Sequence, residues 1–214
     1  MGDEQGMTST ASGASDRQAE CRRIVWINGA FGAGKTTAAR LLAHAIPGAV
    51  IVDPEAVGAL LRPVLQPVAA VRDFQMWSAW RTLVAATLNA VVHELPDDGP
   101  QLVIVPQTIT DESYWTQIRA ALDPRVDVTG VALYVDSVEH RRRVTEDAEE
   151  QDALRWRLGH FDHFNTAEWI RTAFTSIDTS TLTPEAVAAA VVHVLRPSPH
   201  RRPSRHSVHI ARFS

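Results

Sequence analysis

The apolar residues of this chain fall in short, nearly continuous runs instead of alternating with polar ones. Five runs stand out: Arg23–Ile27 (RIVWI), Ala49–Val52 (AVIV), Leu102–Val105 (LVIV), Val128–Val135 (VTGVALYV) and Ala173–Ile177 (AFTSI). A strand that is apolar on both sides needs cover on both sides, so such runs predict the strands of a parallel sheet. Helical patterns separate them. Thr36–Ala45 follows the first strand, and a stretch from Pro54 to about Leu61 follows the second. Phe74–Leu95, rich in Ala, Val and Trp, is closed by Pro96 and the turn Asp97-Asp98-Gly99. Asp111–Leu122 opens on an Asp cap, Ser137–Arg157 is highly charged, and Pro184–Leu195 has Thr183 as its N-cap and proline at its first position. Alternating strands and helices of this kind predict an α/β domain, a doubly wound parallel five-stranded sheet with helices on both faces. Ligands of such a domain sit at the carboxyl ends of the strands.

The periphery reads differently. Residues 1–20 are rich in Ser, Thr, Gly and Ala without periodicity, and are expected to be a disordered leader. Residues 21–195 form the expected domain, and residues 196–214 a basic tail with five arginines, three histidines and no acid. With Val208, Ile210 and Phe213 near its end, that tail suits weak peripheral contact with an anionic bilayer, or plain solvation. The leader lacks the apolar centre of a secretory signal, and no run of about 18 apolar residues predicts a spanning helix. The single cysteine, Cys21, excludes an intramolecular disulfide framework and fits a reducing compartment, so a cytoplasmic location is expected, with the inner membrane face as the place of any peripheral contact. No nucleic-acid partner is expected.

Among 21 basic residues other than histidine, Lys35 is the one lysine and all others are arginine. It lies in Gly29-Ala30-Phe31-Gly32-Ala33-Gly34-Lys35-Thr36, which matches G-x-x-x-x-G-K-[ST], the Walker A motif or P-loop, without a mismatch. A random chain of this length would show the pattern roughly once in a hundred. Here an apolar strand leads in and a helical pattern leads out, which is the context the chemistry needs. Glycines let successive N–H groups curl toward phosphate oxygens, and the helix start adds its positive end. A compact ammonium slides between β- and γ-phosphates where a planar guanidinium would not. The Thr36 hydroxyl is the expected Mg²⁺ ligand, and Thr37 continues the phosphate cradle. Guanine-reading N-K-x-D motifs are absent, which points to ATP. The fold expectation sharpens to a P-loop NTPase or kinase-like domain.

The acceptor side is less sharply marked. The second strand ends Val52-Asp53-Pro54-Glu55, where a carboxylate lies close to the P-loop. Asp53 is the candidate catalytic base, beside Lys35 as the phosphate-binding catalytic group, and the same Asp53 is placed to cap the next helix. The third strand ends Val105-Pro106-Gln107-Thr108, without the acid that many ATPases carry there. Gln75, Trp77 and Arg81, on one predicted helix, are candidates to hold a ring-bearing acceptor, with Glu55 and Gln107 as further substrate contacts. Arg141, Arg142, Arg143, Arg155 and Arg157 flank the acidic stretch 146–152 and suit either a phosphate-closing lid or a solvated helix laced with pairs such as Arg142–Glu146.

The segments WINGAFGAGKT, VDPEAVGALLR, DFQMWSAWR, LVIVPQTI and IDTS together resemble the tunicamycin resistance protein family, over roughly Arg23 to Leu195. Asp53-Pro54-Glu55 with Gly58 and Arg62, and Asp73-Phe74-Gln75 with Trp80-Arg81, carry the specific part of the likeness. The resemblance implies an ATP-binding protein with a nucleoside-kinase-like fold that protects against tunicamycin, a uridine-bearing, acylated antibiotic. It implies Gly29–Thr36 for ATP and Asp53, Gln75 and Arg81 on the acceptor side. It leaves open whether the drug is phosphorylated or only sequestered.

Overall fold

The computed structural model describes residues 22–97, 99, 101–146 and 161–196. Five parallel strands form one sheet: β1 Arg23–Gly29, β2 Val50–Ile51, β3 Leu102–Pro106, β4 Asp127–Tyr134 and β5 Thr175–Asp178, in the spatial order β2-β3-β1-β4-β5. The central register pairs Val25 with Ile104 on one side and Thr129 on the other. Helices α1 Lys35–Ala45, α2 Pro54–Leu65, α3 Ser78–Glu94, α4 Glu112–Ala121, α5 Ser137–Glu146, α6 Glu168–Ala173 and α7 Pro184–Leu195 cover both faces.

Strand alternation divides the core in two. Ile24, Trp26, Val103, Val105, Ala132 and Tyr134 point to one face, under α2, α3 and α4. Val25, Ile27, Ile104, Val131 and Leu133 point to the other, under α1 and α7. Ile24–Ile27 of β1 and Leu102–Val105 of β3 are therefore apolar at successive positions, which is why these runs are continuous in the sequence. The caps follow the predicted chemistry. Asp111 Oδ1 accepts from the amides of Ser113 and Tyr114, and Thr183 Oγ1 accepts from Ala186.

Two boundaries differ most from expectation. The helix predicted over Phe74–Leu95 is broken: Phe74–Met76 is a single 3-10 turn, Trp77 is extended (φ −70°, ψ 123°), and α3 starts at Ser78. Trp77 donates its indole N–H to the Ala69 carbonyl at 2.8 Å, and drawing that ring under the preceding loop interrupts the helix. The last strand starts at Thr175, because Ala173 ends the short helix α6, which periodicity does not reveal. Its six residues are too few to display a period. Helix α5 is described to Glu146, so the remainder of the predicted helix to Arg157 lies outside the described residues, as do the leader, Cys21 and all of the tail beyond Arg196. No helix among the described residues is long and apolar enough to cross a membrane.

Candidate phosphate cradle and adjoining acceptor cavity

The loop after β1 is fixed from below before it turns. Asn28 is fully buried. Its Nδ2 donates to the Ile109 carbonyl at 2.8 Å, and its Oδ1 accepts from the amides of Gly29 and Ile109, both at 2.9 Å. Thr108 Oγ1 donates to the Gly29 carbonyl at 2.7 Å. These bonds stitch the end of β3 to the base of the loop. Gly32 (φ 80°) and Gly34 (φ 95°) then adopt left-handed backbone that a side chain would strain. Gly34 is the N-cap of α1 and offers no side-chain cap, and the first turn of α1 carries no acid. The leading amides of the helix thus lack intrahelical partners and face no competing carboxylate on their own turn.

Lys35 begins α1 and folds back over the loop. Its Nζ donates to the carbonyls of Gly29 and Ala30, both at 3.0 Å, and sits 5.1 Å from the centre of the Phe31 ring. Burial lowers its pKa to about 8, against the opposing pull of Glu55. Ala30 and Ala33 are buried beneath the loop, while Gly32, Thr36 and Thr37 are exposed along it.

Strand β2 stands one strand away from β1, with β3 between them. Asp53 follows it, exposed, and its Oδ1 accepts from the Glu55 amide at 2.9 Å. The capping role is thus realised in the structure. Beyond it opens a cavity of about 640 Å³ lined by Asp53, Glu55, Ala59, Arg62 and Phe74. Phe74 can form a wall because position 58 has no side chain: a Cβ on Gly58 would come within 2.7 Å of the ring. Burial, Asp53 and Asp73 raise the pKa of Glu55, and Lys35 counters them. The Lys35 charge is thus felt at Glu55 on the cavity wall.

The remaining acceptor candidates separate. Gln75 Nε2 donates to the Thr108 carbonyl at 3.1 Å, and Gln107 Nε2 to the same oxygen at 3.0 Å, so both amides converge on the end of β3. Gln107 is 2% exposed, and its Oε1 has no partner among the described residues. Arg81 donates to the Gln75 carbonyl and, through Nε, to Gln117 at 2.8 Å, with its guanidinium 4.3 Å from the Tyr114 ring centre. Gln75 and Arg81 are brought together as expected. Trp77 is not with them: it is 7% exposed and packs in the core with its indole N–H spent on Ala69.

Among the five lid candidates, Arg142 pairs with Glu139 at 2.7 Å and Glu146 at 2.5 Å, while Arg143 pairs with Glu139 at 2.7 Å and donates to the Thr179 carbonyl at 2.7 Å. Arg142 is thus engaged along its own helix, while Arg143 ties that helix to the loop after β5. Arg141 is exposed, and Arg155 and Arg157 lie outside the described residues. Asn28 and Thr108 were not among the expected site residues, although each is a polar residue at the end of an apolar strand, and that is a usable signal. His140, which is 1% exposed and bonded to the loop, was not among them either, and nothing in the pattern marks it.

No family model matches the chain, and no curated protein matches it in sequence. Solved structures do resemble it. A tunicamycin resistance protein from Deinococcus radiodurans is 26% identical over 81% of this chain and 95% of that one, with a TM-score of 0.59. A sugar kinase from Janibacter sp. HTCC2649 is 20% identical over 81% of this chain and 94% of that one, TM-score 0.56. A shikimate kinase from Acinetobacter baumannii, in complex with shikimate, is 18% identical over 83% and 94%, TM-score 0.55. Sheet order, loop geometry and these likenesses agree that the chain has the P-loop kinase-like α/β fold.

Proposed function

We propose that the protein is an ATP- and Mg²⁺-dependent small-molecule kinase that phosphorylates a hydroxyl of a nucleoside-like acceptor and thereby confers tunicamycin resistance. The observation that carries this reading is the juxtaposition of two parts. A glycine loop with an uncapped helix start holds an ammonium within electrostatic reach of Glu55, on the wall of an open cavity that Asp53 also lines. The residues fit the nucleotide: two glycines at positive φ, the leading amides of α1 and Lys35 together make a concave, electropositive cradle. They also fit Mg²⁺ through the Thr36 hydroxyl. No group of three His, Cys, Asp or Glu side chains among the described residues could hold the ion, so its other oxygens would come from phosphate and water. Bound ATP supplies the phosphoryl group, and Mg²⁺ neutralises its charge.

The chain's own residues do the rest. Lys35 leaves the Gly29 and Ala30 carbonyls for phosphate oxygens. Asp53 takes the proton of the acceptor hydroxyl. Arg62 and Glu55, on the cavity wall, orient the acceptor's polar groups, and Phe74 gives a ring something flat to pack on. Gln75, next to Phe74 in the chain, is fixed by its bond to the Thr108 carbonyl and by the bond from Arg81. The likeness to a tunicamycin resistance protein supports the drug, or a close analogue, as the acceptor.

A second reading is ATP-dependent sequestration without turnover. It draws on β3, which borders β1 and is followed by Gln107-Thr108 with no carboxylate. Mass spectrometry of tunicamycin after incubation with ATP and Mg²⁺ separates the two. A gain of one phosphoryl group is the expected result. Unmodified drug that co-elutes with the protein would leave sequestration as the function.

The lowered pKa of Lys35 gives this reading a pH signature. Phosphate binding needs the ammonium, whose pKa in the free chain is about 8. Affinity for ATP should therefore hold from neutral pH to about 8 and then fall about tenfold per pH unit. Calorimetric titration between neutral pH and about 10 checks it, and an affinity that stays flat across that range would contradict it.

A further inference from the structure

Helix α5 meets the phosphate loop edge-on. His140 is buried, and its Nε2 lies 2.7 Å from the Phe31 carbonyl oxygen. A carbonyl oxygen only accepts, so Nε2 carries the proton and donates. The imidazole ring stacks on Phe161, with centroids 4.1 Å apart and planes 25° from parallel. One turn further on, Val144 packs on the next loop residue: a Cβ on Gly32 would meet Val144 Cγ2 at 2.6 Å and His140 Cδ2 at 3.7 Å. On the neighbouring side of the helix, Arg143 donates to the Thr179 carbonyl at 2.7 Å, in the loop after β5. One helix thus braces two loops at the carboxyl end of the sheet.

We propose that His140 is a positioning residue for the phosphate loop, setting the direction of the peptide between Phe31 and Gly32. The inference rests on the reading of Gly29–Thr36 as the ATP phosphate cradle. The peptide unit is planar and trans, so its C=O and N–H point in opposite directions. Holding the Phe31 carbonyl against His140 aims the Gly32 N–H away from α5. Without that bond the peptide can flip, because Gly32 has no side chain to resist and tolerates either sign of φ. A flip would turn the N–H toward α5 and a carbonyl oxygen toward the phosphates. The latch acts by orientation and not by charge. Burial together with Arg141 and Arg143 keeps the imidazole pKa below its ordinary value, although the Phe31 bond and Asp162 pull the other way.

Three full-length variants test this by calorimetric ATP titration alongside thermal melts. His140→Phe keeps a ring to stack on Phe161 and removes the donor. It should raise the ATP Kd about tenfold, the scale of one lost hydrogen bond in a buried site. His140→Gln places an amide N–H near the former Nε2 and should return the Kd to within about threefold of wild type. In turnover, KM for ATP should rise in His140→Phe while KM for the acceptor stays unchanged. If His140→Phe does not fold, His140→Asn replaces it, since its shorter amide cannot reach the Phe31 carbonyl. Lys35→Ala is the control. Wild-type affinity in His140→Phe, with binding lost in Lys35→Ala, overturns the latch and leaves the cradle. Equal weakening in the Phe and Gln variants, tracking their melting temperatures, makes His140 a packing residue and also overturns it. Wild-type affinity in Lys35→Ala removes the cradle itself, and the latch with it.

Discussion

Lys35→Ala is expected to abolish ATP binding at working concentrations while leaving the domain folded. In the free chain the ammonium is held by two carbonyls of its own loop, Gly29 and Ala30, at 3.0 Å each. On the proposed reading, those bonds are exchanged for phosphate oxygens when ATP binds. Truncating one partner of a buried, hydrogen-bonded charge pair costs on the order of 2–5 kcal/mol, or about 30-fold to several thousandfold in affinity. No other described lysine can replace it, since the chain has only this one. The fold should survive for a physical reason. Burial lowers the pKa of Lys35, so its charged form is held at a cost near neutral pH, and its removal relieves that cost while forgoing two hydrogen bonds. Calorimetry for binding and a thermal melt for the fold make the test. Wild-type ATP affinity in this variant would end the reading of Gly29–Thr36 as a nucleotide site.

The sheet was legible because its chemistry is local. Strands β1 and β3 are buried on both faces, and every residue from Ile24 to Ile27 is 0% exposed, so apolar continuity alone announces them. The loop was legible because positive φ at Gly32 and Gly34 demands glycine at fixed spacing, and the demand is written in the motif. Asp53 and Asp111 were legible as caps for the same reason: a short acceptor side chain sits two residues before the amide it bonds. Where the sequence misled, tertiary contacts overruled local pattern. Trp77 sits inside a convincing helical stretch, yet one indole N–H bond to Ala69 pulls it into the core and breaks the helix. His140 was silent because its meaning lies 109 positions away, at the Phe31 carbonyl. The convergence of Gln75 and Gln107 on Thr108 was half legible. Both residues stood out as polar groups near the site, but their shared carbonyl is a property of how the loop after β3 meets the turn before α3.

Asp53→Asn is expected to separate chemistry from structure at the acceptor side. Asparagine caps a helix about as well as aspartate, so the bond to the Glu55 amide persists and the melting temperature should barely move. ATP affinity should stay within about twofold of wild type, because the hydrogen bond that holds Asp53 runs to the Glu55 amide and is kept by asparagine. What the amide cannot do is take a proton at neutral pH. If Asp53 is the base, phosphoryl transfer falls by about 10²–10⁴-fold, the usual worth of a positioned general base. Glu55 reports on the same change independently. Its pKa is raised in part by the neighbouring Asp53 charge, so it should move back toward the ordinary carboxylate value in the variant, as carboxyl NMR titration would detect. Asp53→Ala completes the set. It loses base and cap together and should add a stability loss of about 1 kcal/mol that Asp53→Asn does not show. Resistance in cells then decides between the two functions. Loss of resistance in Asp53→Asn, with ATP binding and melting temperature intact, requires turnover. Full resistance in the same variant reduces Asp53 to its cap and makes the cavity a place where the drug is held, not changed.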